Sequence, residues 1–471
     1  MKKNSNPAVS FYDKHSRRRD WFFHLNRYYN NDLIKYYRFL VPEGSSVLEV
    51  GCGTGHLLAS LKPKIGMGID ISPGMIRSAK QKYPKLKFRL MDAQHLQMKD
   101  KFDYIIISGL IGDLDDIEEF FRKLAKVTHQ RSRIIIDNYN YFWHYILRLA
   151  EIMHLKTPQI YKNWLPASAI ENMLYLADFE VIRRSKRMLF PLYIPMISEI
   201  LNRFIAKLPW VKNLCLNNIL VAKPVSRLGG RKYSCSVIMP ARNEKGTIED
   251  AIRRIPEMGS GTEIVMIEDH STDKTREEMH RVIKKFPKKN IELLIQDKEK
   301  GKKLAVYRGC EAAKSDILMI LDADLSVIPE DLPRFYQALV DGKGEMISGS
   351  RLTYPMENNS MRLLNLLGNY FFGVLFTWLL EHKVTDTLCG TKVFWRSDYQ
   401  KIKKMRSYFG DFDPFGDFDL LFGASKLHLK SIEIPIRYKA RVYGKTNIKR
   451  VRNAIVLLWV SWNAFWKMKA I

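Results

Sequence analysis

VLEVGCGTGHL, residues 47–57, runs an apolar strand-like segment into a turn with Gly51, Gly53 and Gly55 at alternate positions, then into the start of an amphipathic segment. Glycine at such spacing lets the backbone turn sharply and lets a ligand approach the amides at a helix N-terminus. Working outward, residues 45–223 repeat the same grammar: GMGIDI (66–71), MIRSAKQKY (75–83), KFRLMD (87–92), FDYIIIS (102–108), IEEFFRKLAKV (117–127) and RIIIDNY (133–139). Short apolar runs alternating with amphipathic segments predict a parallel sheet covered by helices. PASAIENMLYLADFEVIRRS (166–185) and NNILVAKP (217–224) add a helix and two further strands, which completes one α/β domain over residues 1–224.

PVSRLGGRKY follows, and its Pro, Ser, paired Gly and charge make 225–233 a linker. The grammar then restarts with CSVIMPARNE (235–244), TIEDAIRRIP (247–256), TEIVMIED (262–269), DKTREEMHRVIKKF (273–286), IELLIQD (291–297) and DILMILDADLS (316–326). A second α/β domain is expected over 234–450, with 451–471 as an apolar and basic C-terminal segment. The two halves share strand-helix logic but no repeat.

The 471 residues exceed what one core organises, and 46% hydrophobic against 27% charged residues excludes wholesale disorder. A formal charge of +27 attracts phosphate, whether on nucleotides, lipids or nucleic acid. No aromatic-interleaved basic motif accompanies it, so nucleic acid is not expected as a partner. Cys52, Cys215, Cys235, Cys310 and Cys389 are scattered, without a C-x-x-C pair, which suits a reduced compartment. The N-terminal stretch MKKNSNPAVSFYDKHSRRRD lacks the apolar core of an export signal, and a cytoplasmic location is expected.

Two apolar stretches bear on membranes. LLNLLGNYFFGVLFTWLL (363–380) has the minimum length for a spanning helix, but Asn365, Gly368, Asn369, Gly373 and Thr377 dilute it, which favours a partly buried or interfacial helix. AIVLLWVSWNAFW (454–466) is too short to span and lies in a region, 426–471, where Lys and Arg far outnumber the one acid, Glu433. It reads equally as a core helix and as an anchor on the inner face of the plasma membrane.

The turn at 51–55 does not follow the dinucleotide pattern G-x-G-x-x-G, because His56 stands where the third glycine belongs. Glu49, Gly51, Gly53 and Gly55 instead resemble the first motif of class I S-adenosyl-L-methionine-dependent methyltransferases, E/D-x-G-x-G-x-G. The resemblance implies that Asp70, ending the second strand, accepts the ribose hydroxyls and that Asp92 contacts the adenine. The acceptor side is less readable. Asp113, Asp115 and Asp116 follow the fourth strand, with Asp113 the candidate base, and Asp115 and Asp116 read better as acids at a helix N-terminus. Asp137 and Tyr139 lie beyond the fifth strand on the expected acceptor side.

In LMILDADLS (318–326) a hydrophobic strand ends in Asp322 and Asp324, two apart and therefore on one face. Carboxylates so placed suit a hard cation, Mg2+ or Mn2+, that could bridge a diphosphate. SVIMPARNE, EIVMIEDHSTDKT, GKKLAVYRG, ISGSR and DTLCGTKVF occur in the order and spacing of family 2 glycosyltransferases and resemble most the polyprenyl-phosphate sugar synthases. That resemblance implies the GT-A fold, a nucleotide-diphospho-sugar donor, inversion at the anomeric carbon, and a lipid-phosphate or glycan acceptor. Carried over by position, Pro240, Glu244, Glu268 and Asp269 line the nucleotide, Lys302 neutralises diphosphate, and Asp322 and Asp324 hold the metal. Asp386 is the first candidate base, Asp417 and Asp419 the alternatives, and Arg351, Arg362, Arg441 and Lys445 surround the acceptor phosphate. Lys303 and His270 stand where the family carries glycine. The whole reading is an α/β chain of two domains, a Rossmann-like methyltransferase sheet followed by a GT-A sheet, bifunctional in one surface-glycan or lipid-linked sugar pathway. The alternative is an active glycosyltransferase carrying a non-catalytic binding or docking module.

Overall fold

The computed structural model describes residues 7–160, 163–225, 231–296, 301–352, 363–409, 416–439, 443 and 450–470. The chain divides into two compact units, Met1–Val225 with Lys469–Ile471, and Ser226–Met468.

The first unit is a seven-stranded sheet of β1 (Ser46–Val50), β2 (Ile65–Asp70), β3 (Lys87–Leu90), β4 (Tyr104–Ser108), β5 (Arg133–Tyr139), β6 (Phe179–Arg187) and β7 (Asn217–Pro224), ordered β3-β2-β1-β4-β5-β7-β6. Its first five strands are parallel. The expected all-parallel sheet is modified at one edge, where β7 runs antiparallel to both β5 and β6. Helices cover both faces, so β4 and β5 read as isoleucine runs rather than alternating: Ile105, Ile106, Ile107, Ile134, Ile135 and Ile136 are all fully buried. The helix Ile117–Leu124 buries Ile117, Phe120, Phe121 and Leu124, one stripe at helical spacing. Asp116 caps it by accepting from the Glu119 amide at 2.9 Å, as the helix-terminus reading anticipates. Strand order reverses direction between β1 and β4, which opens a crevice at their carboxyl ends.

Two further parts were not read from periodicity. Helices Pro7–Ser16, Arg19–Leu25 and Arg27–Leu40 precede β1, and residues 188–216, with helix Ile197–Arg203, are inserted between β6 and β7. Leu147, Met188 and Leu216 form a separate small core with Tyr28, Tyr29, Tyr139, Trp143 and Trp164, joining both additions to the helix His144–Ile152.

The second unit is also seven-stranded: β8 (Cys235–Ala241), β9 (Thr262–Glu268), β10 (Asn290–Ile295), β11 (Ile317–Ile320), β12 (Met346–Ser350), β13 (Lys392–Trp395) and β14 (Ser431–Pro435), ordered β10-β9-β8-β11-β13-β12-β14. β13 lies antiparallel between β11 and β12. Strand order again reverses between β8 and β11, and the carboxyl end of β11 delivers Asp322 to that point.

The helix Leu363–Leu380 buries Phe372, Phe376, Leu379 and Leu380, and Phe376 stacks on Phe422 at 5.6 Å. Helix Arg450–Ala464 packs against it, with Trp378 stacked on Phe465 at 5.8 Å. The C-terminal segment, read equally as a core helix and as an anchor, thus packs its helix Arg450–Ala464 within the second unit. Among the described residues no helix is long and apolar enough to cross a membrane. Phe376→Ala removes a fully buried ring and should cost the second unit about 3–5 kcal/mol. Scanning calorimetry would register this as a lowered transition for that unit, with the first unit's transition unmoved.

Candidate active sites in the two units

In the first unit Gly51, Gly53 and Gly55 all take left-handed φ, +75, +51 and +78, which an L side chain resists. Around the place where a Cβ on Gly53 would stand, only Arg19 Nε comes within 4 Å, at 3.9 Å. That is a backbone cradle shaped for a ligand to reach. The Gly53 amide donates to Asp70 Oδ2 at 2.8 Å and the Ser72 amide to Asp70 Oδ1 at 2.9 Å, so Asp70 fixes the turn while lying at the end of β2 beside it. Glu49 is buried and accepts from the Leu58 amide at 3.0 Å. Burial, added to by the Asp70 and Asp137 charges, pushes its carboxyl up to about 8. Asp92 caps the turn Ala93–His95, accepting from the Gln94 amide at 2.9 Å.

The N-terminal helices supply what sequence reading missed. Asp13 accepts from the Gly74 amide at 2.6 Å, and Tyr12 donates a short hydrogen bond to Asp113. His56, in the place of a dinucleotide fold's glycine, is held between Tyr83 Oη at 2.8 Å and Asp20 Oδ1 at 2.9 Å and stacks on Phe23. Lys156 lies 5.2 Å above the Tyr139 ring and donates to Glu151 at 2.9 Å and Gln159 at 2.7 Å. Gln159 in turn donates to the Gly109 carbonyl, just past β4, at 3.3 Å. Burial brings the Lys156 ammonium down to about 8 despite Glu151. Asp113, Tyr139 and Lys156 are therefore gathered beyond β4 and β5, whereas Asp137 is buried beneath, accepting from Tyr37 Oη at 2.5 Å. The signal that could have revealed these helices is the clustering of Phe, Trp, Tyr and Asp in 11–37, which basic composition obscured.

In the second unit Lys302 bridges both oxygens of Asp322, at 2.7 and 2.9 Å. Burial alone would raise the Asp322 pKa, but Lys302, then Lys392 and Arg351, hold it below the usual range. A Cβ on Gly390 would collide with Asp322 Oδ2 and stand 2.8 Å from Lys302 Nζ, so a side chain there would displace the charged ends of this pair. Asp324 accepts from the Ser326 amide at 3.0 Å and hydroxyl at 2.7 Å, and Leu325 between them takes φ +57. Among the described residues no group of three or more His, Cys, Asp or Glu could cage an ion. Two carboxylates alone match the way Mg2+ is held when substrate phosphates and water complete its shell, so the donor set fits a phosphate-bridging ion.

The other predicted residues divide between this point and the neighbouring loops. Glu268 accepts from the Ser271 amide at 2.6 Å, and Asp269 from the Gly301 amide at 3.1 Å, the residue before Lys302. Pro240 lies in β8, paired with Ile267 of β9, and the Glu244 amide donates to Thr275 Oγ1 at 3.0 Å. His270 accommodates the loss of the family's glycine by adopting φ +53 beside Asp269. Lys303, the other departure, reaches 3.7 Å from Asp419, a carboxylate that also receives the Tyr307 hydroxyl.

Asp386, the first candidate base, lies in a close ion pair. Its side chain has no exposure and accepts from Arg351 Nε and Nη2, each at 2.7 Å, the Arg351 amide at 3.0 Å and the Leu388 amide at 3.2 Å. Although burial opposes it, this fork keeps the carboxyl below its ordinary pKa, the opposite of what a base needs. Asp417 is likewise engaged by Lys392 at 2.8 Å, at the N-terminus of the helix Asp417–Lys426. Arg362, Arg441 and Lys445 lie outside the described residues.

Comparison with known proteins agrees with this division. Residues 42–186 match the model of a methyltransferase domain, and residues 236–403 match that of glycosyl transferase family 2. The chain is 37% identical over 118 residues to a dolichol-phosphate mannosyltransferase of Pyrococcus furiosus, covering 25% of this chain and 32% of that protein. A dolichol-phosphate mannosyltransferase of Saccharomyces cerevisiae is 33% identical over 111 residues, covering 22% of this chain and 41% of that protein. The chain thus spans well under half the length of these relatives. The N-methyltransferase NodS from Bradyrhizobium japonicum, solved with S-adenosyl-L-homocysteine, is similar at 12% identity, covering 47% of this chain and 100% of that one with a TM-score of 0.34. The chain carries a methyltransferase domain followed by a family 2 glycosyltransferase domain.

Two outcomes follow from the geometry. Gly390→Ala should lower sugar transfer at least about tenfold while the folded spectrum is kept, because the added methyl strikes the Lys302–Asp322 pair rather than the core. Glu49 has a folded pKa raised above its unfolded value, so ligand-free stability should fall as pH rises from about 4.5 toward about 8. Glu49→Gln should flatten that decline in thermal denaturation of the first unit, by on the order of a few kcal/mol at the alkaline end.

Proposed function

We propose that this protein is a bifunctional transferase: its second unit transfers a sugar, with inversion, from a nucleotide-diphospho-sugar to a lipid phosphate, and its first unit transfers a methyl group in the same lipid-linked or surface-glycan pathway. The observation that carries the acceptor assignment is the commitment of all three candidate bases. Asp386 is forked by Arg351, Asp417 is bonded to Lys392, and Asp419 receives Tyr307 and faces Lys303. A hydroxyl acceptor needs a proton taken from it, whereas a phosphate monoester is already ionised and needs only to be oriented.

Arg351 is suited to that task. Asp386 holds its guanidinium through Nε and Nη2, fixing the plane and leaving the Nη1 edge to meet a phosphate oxygen. Lys302, beside Asp322, would neutralise the charge that the departing diphosphate gathers as the glycosidic bond breaks and the bond to the acceptor oxygen forms. Asp322 and Asp324 would hold a divalent cation, which when bound supplies further neutralisation of that diphosphate. Glu268, Asp269 and the loop at 243–244 would meet the nucleotide. In the first unit, the glycine cradle with Asp70 and Asp92 would hold S-adenosyl-L-methionine, whose sulfonium supplies the methyl group. Asp113, Tyr139 and Lys156 would position the methyl acceptor and take up its proton.

The test offers labelled nucleotide-sugars with Mg2+ or Mn2+ to polyprenyl phosphate and to the matching dephosphorylated polyprenol. Label should enter the organic phase with the phosphate only, and Arg351→Lys should lower that transfer by about a hundredfold or more. Equal use of the polyprenol would refute the phosphate reading. Asp322→Asn should abolish transfer, as should a chelator until the metal is restored, with S-adenosyl-L-homocysteine affinity unchanged in both cases.

A further inference from the structure

Antiparallel neighbours such as β6 and β7 can be joined by a two-residue turn, yet here the connection is 188–216, with many of its apolar residues exposed. Met196 and Trp210 are 76% and 89% exposed. Opposite them, the helix His144–Ile152 buries Leu147 and turns the rest of its apolar side outward, with Tyr145 82% and Ile152 75% exposed. The two segments form one structure. Trp143 Nε1 donates to the Leu214 carbonyl at 2.8 Å, and Asn140 Nδ2 to the carbonyls of Asn213 at 2.8 Å and Cys215 at 3.0 Å. Beneath them Leu147, Met188 and Leu216 share the small core with Tyr28, Tyr29 and Tyr139. The additions therefore place apolar side chains outward on a hydrogen-bonded base, and adjoining exposed apolar side chains of this kind mark a docking face.

Charge and composition identify what it docks on. Over 141–156 and 189–214 Lys207 is buried and Lys156 mostly so, and the outward cations are Arg148, Arg203 and Lys212, against the outward acid Glu199. Glu151 is itself buried against Lys156. Lys35 is close enough to Arg203, and Lys186 to Lys212, for like-charge repulsion to add to burial in holding their ammonium pKa values down. Tyr and Trp beside Lys and Arg around an aliphatic centre is the composition of a bilayer interface, with cations meeting lipid phosphate and rings seated at the headgroups.

We infer that the methyltransferase unit docks on an anionic phospholipid surface through the helix His144–Ile152 and the inserted segment 188–216. The face adjoins the acceptor side of its cofactor site, since β5 runs from Tyr139 into Tyr141 and the helix returns through Lys156 above the Tyr139 ring. A methyl acceptor carried in the bilayer would reach it without leaving the lipid, a consequence that rests on the methyl-transfer reading above.

The test mixes the full chain with phosphatidylcholine vesicles, with or without phosphatidylglycerol, and follows backbone hydrogen exchange by peptide. Exchange over 141–155 and 192–214 should slow severalfold on the anionic vesicles and little on the neutral ones. The variant Tyr145→Ser, Met196→Ser, Trp210→Ser should lose that protection and bind vesicles about tenfold or more weakly, with S-adenosyl-L-homocysteine affinity kept. Vesicle binding that protects only 363–380 and 450–464 would overturn the inference. Protection of 141–155 and 192–214 that rises with protein concentration in the absence of vesicles would also overturn it, in favour of a second copy. Loss of homocysteine-cofactor binding in the unmutated chain would instead strike the methyl-transfer reading and leave docking standing.

Discussion

The ion pair between Lys302 and Asp322 is the constraint around which the second unit is arranged. A carboxylate delivered by a fully buried strand to the mouth of a cleft would take up a proton unless a cation stood beside it. Lys302 provides that cation from the first turn of the helix Lys302–Ala312, and the loop carrying Gly390 closes against both. Lys392 and Arg351 add positive potential from β13 and from the end of β12. The result is a concentration of cationic charge at the carboxyl ends of the central strands, each cation anchored by a carboxylate of its own. The proposed phosphate role draws on this arrangement, because fixed cations would need little rearrangement when anionic oxygens arrive.

Both units solve the same problem in the same manner. A sheet whose strand order reverses leaves an opening at its carboxyl edge, and each chain segment leaving that edge contributes a turn with unusual backbone geometry. In the first unit glycines adopt that geometry at little cost. In the second, Asn243, His270 and Leu325 do so although each carries a side chain. Asn243 is held there by its own bonding, accepting from the Thr272 amide at 2.8 Å while its amide donates to Ser271 at 3.1 Å.

Fold class was legible because each central strand is a nearly uninterrupted apolar run and each motif falls at a strand end, as with Glu49–Gly55 and Asp322–Asp324; strand order was not, since it is set by pairing between distant segments. Roles were less legible than positions. Asp386 and Arg351 are far apart in sequence, and nothing in either segment announces that one carboxylate takes two arginine nitrogens; only the pairing of β12 with β13 brings them together. Lys303 looked like damage to a glycine turn until Asp419, more than a hundred residues later, proved to lie beside it. The N-terminal helices escaped notice for a different reason. Their contacts, Asp13 with Gly74 just past β2 and Asp20 with His56 just past the glycine turn, are polar and long-range, and periodicity carries no information about them.

The left-handed residues at the carboxyl edge of the second sheet have an implication for how this enzyme could be altered. Leu325 is buried in the core and Asn243 is bonded to Thr272, so glycine there would relieve about 1–2 kcal/mol of backbone strain only by forfeiting that packing or that bond. The usual exchange of a strained corner for glycine is therefore no route to a hardier protein here. These corners keep their awkward shape because their side chains are tied to the surrounding fold.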